Sequence, residues 1–393
     1  NFCFDNSIIS QYMSALMHPP AHANISCDAS GSESLLVDAN FAEKTGTLHK
    51  DYIGDWVAEL KSLNKTRMDE CDDYGEIYLT RETVEYIFTL CIRLRMPIEV
   101  RFMASSIFDR FMRVHTQQMI NFLTNFDMDS KKKRDEWDGV ETNMSRQLTL
   151  RICSAIQIAS KIVSYHDSLS TNQICKCLRT LGTPYTKSAI LKSEIRLLKA
   201  VDYEIPPTQI AYAESILKLL SLTKRTNMKV NSVWSFMCIL MDVVLMEGDT
   251  IYSNLVRTVL DDTSIITQRG KNRLKSDWIL LACSLVCAGC CCHYGFQVGD
   301  PVSVELEEIC EIPAKDTCEL AIAILEVARG TREELLKPLI NRQVTPPPTK
   351  RFAVPRSQLN ARDGSNPFAV PMHDHPRERT TYLNRDHRSN YAL

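Results

Sequence analysis

The sequence is poor in glycine and has no excess of charge of either sign. Only 13 of its 393 residues are glycine, which leaves little material for a loop that cradles a nucleotide phosphate. It also contains no nucleophile–base set and no HExxH-like metal motif. The formal net charge is −2, so bulk electrostatics favour neither nucleic acid nor a membrane surface as a partner. We therefore expect a protein that is not an enzyme and has no catalytic residues, cofactor or metal.

Long hydrophobic runs are missing as well. The longest, 279–292 "ILLACSLVCAGCCC", is shorter than an ordinary membrane span and predicts a buried core helix. Its cysteines have helical spacing rather than that of paired zinc knuckles, so we interpret them as core side chains. The total of 15 cysteines is odd, which argues against a closed disulfide framework and favours a reducing compartment. This cluster consists of Cys283, Cys287, Cys290, Cys291, Cys292 and His293.

No stretch alternates strongly between apolar and polar residues as a β-strand does, so the fold class is predicted to be all-α. Residues 1–50 lack periodicity and are expected to be disordered, as is the tail at 342–393. An amphipathic helix at 51–64 opens an N-terminal helix-and-linker region, 51–78. Thr80, Gly182 and Thr186 are residues suited to begin or end helices.

The remaining sequence predicts two successive sets of about five helices, at 79–205 and 206–335, joined at "EIPPTQ". The first set contains a long polar insert, 116–145, between its second and third helices. The predicted helices of the first set begin near Thr80 and Pro97 and then span 147–164, 171–181 and 187–200. Those of the second set span 208–222, 229–246, 249–260, 273–294 and 313–329.

Three segments of the first set resemble helices two, three and five of a cyclin box. They are "SIFDRFM" (106–112), "LRICSAIQIASKI" (150–162) and "TKSAILKSEIRLLKAVDYEIPPTQIAYAE" (186–214). Their order and spacing agree with the family over about 97–215. The resemblance implies tandem five-helix cyclin boxes.

The long insert and the "LTLRICSAIQIASKI" run resemble, among cyclins, the cyclin-like proteins of meiotic crossover formation. That resemblance implies a non-catalytic subunit located in the nucleus, on meiotic chromosomes. The implied partners are a cyclin-dependent kinase and meiotic recombination proteins, without a membrane and without strong direct nucleic-acid binding. Two alternatives stay open: a kinase-independent scaffold for crossover proteins, and a nucleic-acid-associated adaptor on the same fold.

The resemblance also assigns roles to four residues. Lys161 and Glu194 match the lysine and glutamate with which cyclins contact the kinase, and Arg81 and Asp109 match an internal polar tie of the box. Apolar area for kinase binding would come from Ile158, Ile162 and Leu198, although each of the three is more typical of a core side chain.

The residues themselves support weaker interpretations. Ser154, Gln157, Lys161 and Ser164 share one helical stripe, which is also typical of a solvated face. Glu194 lies among Ile190, Leu197 and Leu198, where a carboxylate is more often partnered than free, although snorkelling at the helix surface is the alternative.

One position differs from cell-cycle cyclins, and one basic run has two possible interpretations. The position of the tryptophan in their substrate-docking groove is Ile87 here, and no tryptophan occurs between Trp56 and Trp137, so the usual groove is not expected. The "KKKR" run at 131–134 is either a nuclear-localisation signal or a solvated loop, because acidic residues follow it directly.

Overall fold

The computed structural model describes residues 50–69, 78–125, 129–163, 168–223, 228–259 and 267–330, and over these ranges the protein is all-α with no strand. The disorder predicted at 1–50 and 342–393 lies outside the described residues, except at Lys50, which begins the first helix. The α-helices are α1 Lys50–Asp69, α2 Arg81–Arg93, α3 Ile98–Asn125, α4 Ser130–Val163, α5 Thr171–Thr180, α6 Lys187–Ala200, α7 Gln209–Leu222, α8 Val230–Val259, α9 Gln268–Ser276, α10 Trp278–Tyr294, α11 Gly299–Cys310 and α12 Ala314–Gly330.

Local capping chemistry sets several helix ends where the sequence predicted them. The side chains of Thr80 and Thr186 accept hydrogen bonds from the backbone N–H of Thr83 and Ala189, at 3.3 and 3.2 Å. Gly182 has a positive φ of 73° just after α5, a conformation that favours glycine at a helix C-terminus. These caps fix the boundaries of α2, α5 and α6.

The first set, α2–α6, is built around the C-terminal half of α4. Ile152, Cys153 and Ile156 on that half are fully buried among the other helices of the set. Because residues 150–160 are buried on every side, this helix is almost entirely apolar or small, as a central helix must be.

The predicted polar insert at 116–145 is wrong as a break between helices. Helix α3 continues to Asn125 and α4 already begins at Ser130, so the insert lengthens both helices into a hairpin, which we call the arm. Ile120, Leu123 and Trp137 form a small apolar cluster of their own between the two helices of the arm. That cluster provides the packing that an isolated helical extension lacks.

The second set, α7–α12, has six helices in the described residues rather than the predicted five. The two helices expected at 229–246 and 249–260 both lie within α8, and a kink with non-helical backbone angles at Glu247 separates them as predicted. The helix expected at 273–294 is divided at Asp277, whose side chain accepts from the backbone N–H of Leu280 at 3.0 Å and caps α10. Helix α11 was not predicted. The division at residue 205 into two boxes stays a prediction.

Helix α1 packs on the second set rather than the first. Asn64 donates to Asp277 at 2.9 Å and accepts from the backbone N–H of Trp278 at 2.8 Å. The Arg67 guanidinium lies 3.3 Å from the centre of the Trp278 ring. These contacts fix the N-terminal helix across the start of α10.

The core of the second set contains the apolar run that the sequence singled out. All five cysteines of the cluster are buried in α10, and no group of three His, Cys, Asp or Glu side chains in the described part of the chain could hold a metal ion. One described helix, α8, is long and apolar enough to cross a membrane, and α9 with α10 would pass only as a pair bent by 61°. Since 56% of the apolar window of α8 is buried, it has the character of a core helix of a globular domain.

Candidate functional site

Lys161 and Glu194, predicted from two separate helices, form an ion pair. Lys161 lies near the C-terminal end of α4, where the helix emerges from the core, and its Nζ contacts Oε1 of Glu194 on α6. The lysine side chain is 46% exposed and the glutamate side chain 10% exposed. The carboxylate is therefore largely buried, and its partner is a half-exposed lysine side chain, so the ion pair lies at the edge of the protein surface.

The polar stripe on α4 is not a solvated face. Ser154 and Gln157 are fully buried, and the Ser154 hydroxyl hydrogen-bonds that of Ser193 on α6 at 2.8 Å. Gln157 lies near the carbonyl of Leu169 at 3.4 Å. Ser164 lies outside the described residues. The stripe therefore connects α4 to its neighbours, and among its described members only Lys161 reaches the surface.

The ion pair lies in a surface groove of about 440 Å³. Ile158, Ile162 and Leu198, expected from the sequence to supply apolar area, all line it. The groove is completed by Tyr203 and Ile205, which were not predicted. Its composition, one charge pair surrounded by five apolar or aromatic side chains, suits a partner with a polar group set in an apolar surface.

A tight turn after α6 brings Tyr203 into the groove. Asp202 and Tyr203 both have positive φ, 52° and 59°, an uncommon conformation for residues other than glycine. The backbone N–H of Tyr203 donates to the carbonyl of Leu198 at 2.8 Å and closes the turn. Tyr203 and Ile205 both belong to the segment 186–214 that resembles a cyclin box, and this was the available signal for them.

The predicted internal tie between Arg81 and Asp109 is not formed. Arg81 is the first residue of α2 and its guanidinium reaches Glu85, at 3.3 Å, and Glu247 at the kink of α8. Asp109 is buried and pairs with Arg113 one turn further along α3, at 3.0 Å. Burial raises the pKa of Asp109 although Arg113 opposes that rise. Arg81 points away because it starts its helix on the side that faces α8.

The position of the substrate-docking tryptophan contributes no surface. Ile87 is fully buried in the core of the first set.

The "KKKR" run is not a loop but the first turn of α4 on the arm, with Lys131, Lys132 and Arg134 exposed. Its use as a nuclear-localisation signal stays a prediction.

Comparisons with known proteins agree with the motifs. No family model and no solved structure matches the sequence. The chain is similar to the human protein named Cyclin N-terminal domain-containing protein 1, with 25% identity over 296 residues, 74% of this chain and 87% of that protein. It is similarly related to the mouse protein of the same name, with 26% identity over 292 residues, 72% of this chain and 86% of that protein. These similarities support the cyclin-like relationship that the residues predicted.

Proposed function

We propose that this cyclin-like protein is a non-catalytic regulatory subunit that binds a cyclin-dependent kinase through the groove around Lys161 and Glu194. The observation that carries the proposal is the groove itself, in which the two charged residues matched to the cyclin pattern meet between apolar side chains. A charge pair of this kind contributes register and specificity, and the surrounding apolar area contributes affinity.

The biological setting of this proposal is meiotic crossover formation, in the nucleus and on meiotic chromosomes. It is supported by the resemblance of 148–162 and of the long region between the second and third box helices to cyclin-like crossover proteins. Meiotic recombination proteins are the further partners that this setting implies. The buried Ile87 supports a subunit that positions a kinase without the usual substrate-docking groove.

Co-precipitation from meiotic cells tests the kinase contact. We expect Lys161→Glu and Glu194→Lys each to lower kinase recovery at least tenfold, because each places two like charges together within the interface. Lys275→Glu is the matched control, since Lys275 pairs with Asp249 on the second set, away from the groove. Circular dichroism melting of each variant separates loss of binding from loss of fold.

Unchanged kinase recovery in both groove variants would refute the kinase contact. A mass-spectrometric list of the co-precipitated proteins would then show whether crossover proteins are bound without a kinase, as a scaffold would bind them. Salt-sensitive binding of DNA by the purified protein would instead favour the nucleic-acid adaptor.

A further inference from the structure

The surface of α5 and α6 carries positive charge that no described residue neutralises by an ion pair. Between residues 168 and 201 the only acidic residue is Glu194, which Lys161 already pairs. Six basic residues of these helices are exposed and form no ion pair with any described residue. They are Lys176, Arg179, Lys187, Lys192, Arg196 and Lys199. In a chain with a net charge of −2, this is a local excess that favours an anionic partner.

A buried cation below α6 adds to this excess. The Arg151 guanidinium donates to the Ser193 hydroxyl at 2.7 Å and to the Gln147 side-chain oxygen at 2.5 Å, both of which are neutral. Burial and the nearby positive charge of Arg196 lower the pKa of Arg151 to about 10. The pKa of His115 is lowered to about 4, mainly by burial and further by the positive charges of Arg196 and Arg151. Arg151 and Arg196 repel each other, and the hydrogen-bond partners of Arg151 are neutral. A negative charge brought near the two arginines would therefore stabilise them.

Exposed apolar side chains lie beside the cations on the same helix. Leu191 is 46% and Ile195 50% exposed, and they are one turn apart on α6. Neither lines the groove around Lys161. Each residue of an α-helix is rotated by 100° from the one before it. Going around α6 from Leu191 and Ile195, the next side chains are therefore Lys199 and Lys192, followed by Arg196. The helix therefore presents an apolar stripe and a basic stripe side by side.

We propose that Leu191, Lys192, Ile195, Arg196 and Lys199 form a docking face, the α6 face, for an acidic segment of a partner protein in which carboxylates are interleaved with apolar side chains. Charge complementarity favours carboxylates over the basic stripe, and the exposed leucine and isoleucine take apolar side chains. A nucleic-acid backbone would neutralise the cations but leave the apolar stripe uncovered, and α6 has no aromatic residue on which a base could stack. The inference goes beyond the kinase contact and does not depend on it.

Fluorescence anisotropy with defined probes tests the α6 face on the full chain. The main probe is a labelled peptide of roughly 15 residues, with leucines at i and i+4 and glutamates between them. The comparison probes are the same peptide with every glutamate replaced by glutamine, a phosphoserine peptide without leucines, and single-stranded DNA of roughly 20 nucleotides. We expect the acidic peptide to bind at least fivefold more tightly than each comparison probe, and less tightly as salt increases.

Charge-reversal variants locate the binding site. We expect the K192E/K199E protein to bind the acidic peptide at least fivefold more weakly, because two attractions become repulsions. The K131E/K132E protein makes the same change in net charge on the exposed start of α4 and should bind within twofold of the unchanged protein. The L191S/I195S protein should lose affinity while retaining the salt dependence. Kinase recovery should remain normal in all three.

Several results would overturn the α6 face. The first is that the acidic peptide does not bind, and the second is that K192E/K199E and K131E/K132E weaken its binding equally. The third is that DNA or the phosphoserine peptide binds more tightly than the acidic peptide, and that K192E/K199E abolishes this binding. If folded K192E/K199E protein lost both kinase recovery and peptide binding, this surface would be part of the kinase interface and not a separate docking face. Failure of the Lys161 and Glu194 variants to affect the kinase would leave the peptide result unchanged, so the two proposals fail separately.

Discussion

Arg101 of α3 and Asp242 of α8 form a buried ion pair between the two helical sets, with 2.5 Å between Nη2 and Oδ2. The guanidinium carbon also lies 4.9 and 5.2 Å from the ring centres of Phe88 and Phe102. Burial raises the pKa of Asp242 to about 7, although Arg101 opposes this. The pair is therefore retained at a cost in desolvation, and its two members depend on each other.

We predict that Asp242→Asn destabilises the protein by about 3–5 kcal/mol, because it leaves the Arg101 charge buried without a counter-charge. The R101M/D242L protein should lose much less stability, since both charges are removed together and the arginine site is already lined by two phenylalanine rings. Urea unfolding at pH 8, followed by circular dichroism, measures both free energies. A double variant as unstable as the single one would contradict this account.

The arm should unfold separately from the rest of the first set. Trp137→Ala removes the largest side chain of the small cluster with Ile120 and Leu123, so we expect a local loss of about 3 kcal/mol. Native-state hydrogen exchange should show lost protection at 119–125 and 130–141 while α2 and α6 keep theirs. Trp234→Ala is the matched control, because Trp234 is buried in the main core and should reduce protection globally. Equal loss in the two variants would show that the arm is not independent.

The sequence predicted the first set well because its motifs are local. The caps at Thr80 and Thr186 depend on neighbouring residues alone. Lys161 and Glu194 were singled out because both belong to segments that resemble a cyclin box, whereas their contact with each other was not predicted. The helical arm was missed because its apolar cluster is small. Met119, Ile120 and Leu123 are few among the polar residues of 116–125, and the charged run at 131–138 outweighed their helical spacing.

Tertiary contacts account for the other differences. Arg81 was matched to Asp109 by position in the sequence, but its choice of Glu247 depends on the distant helix α8, about which the motif contains no information. The stripe of Ser154 and Gln157 was also ambiguous, since the same spacing is typical of a solvated face and of a polar contact between buried helices. Only the packing of α4 against α6 distinguishes the two.

The buried His115 should make the protein less stable as the pH falls. Its pKa is lowered to about 4 in the fold, first by burial and then by Arg196 and Arg151, whereas an unfolded histidine titrates near 6.5. Above about pH 6.5, His115 is neutral in both the folded and the unfolded protein. Between about pH 6.5 and 4, His115 takes up a proton only in the unfolded chain. Stability from this group is therefore present above pH 6.5 and lost toward pH 4, by about 3 kcal/mol in total.

Replacement of His115 by glutamine isolates this effect. The variant loses the stacking of the imidazole on Phe111, whose ring centre is 5.3 Å away, at every pH. The difference in unfolding free energy between the original protein and His115→Gln should shrink as the pH falls from 6.5 to 4. Urea unfolding at several pH values measures that difference, and other titrating groups cancel in it. A difference that does not change with pH would exclude a neutral buried histidine.

The apolar part of the groove should matter for kinase binding as much as its charges. Ile162 is 48% exposed and lines the groove beside Lys161, so Ile162→Asp changes the surface without opening a cavity in the core. We expect a loss of at least tenfold in kinase recovery, because a carboxylate would have to be desolvated inside the interface. Val304→Asp is the matched control, since Val304 is equally exposed, at 52%, on α11. Both variants should melt within a few degrees of the original protein, since exposed substitutions change stability little. If Ile162→Asp recovered as much kinase as Val304→Asp, the groove could not be the surface that holds the kinase, even if the charge of Lys161 proved important.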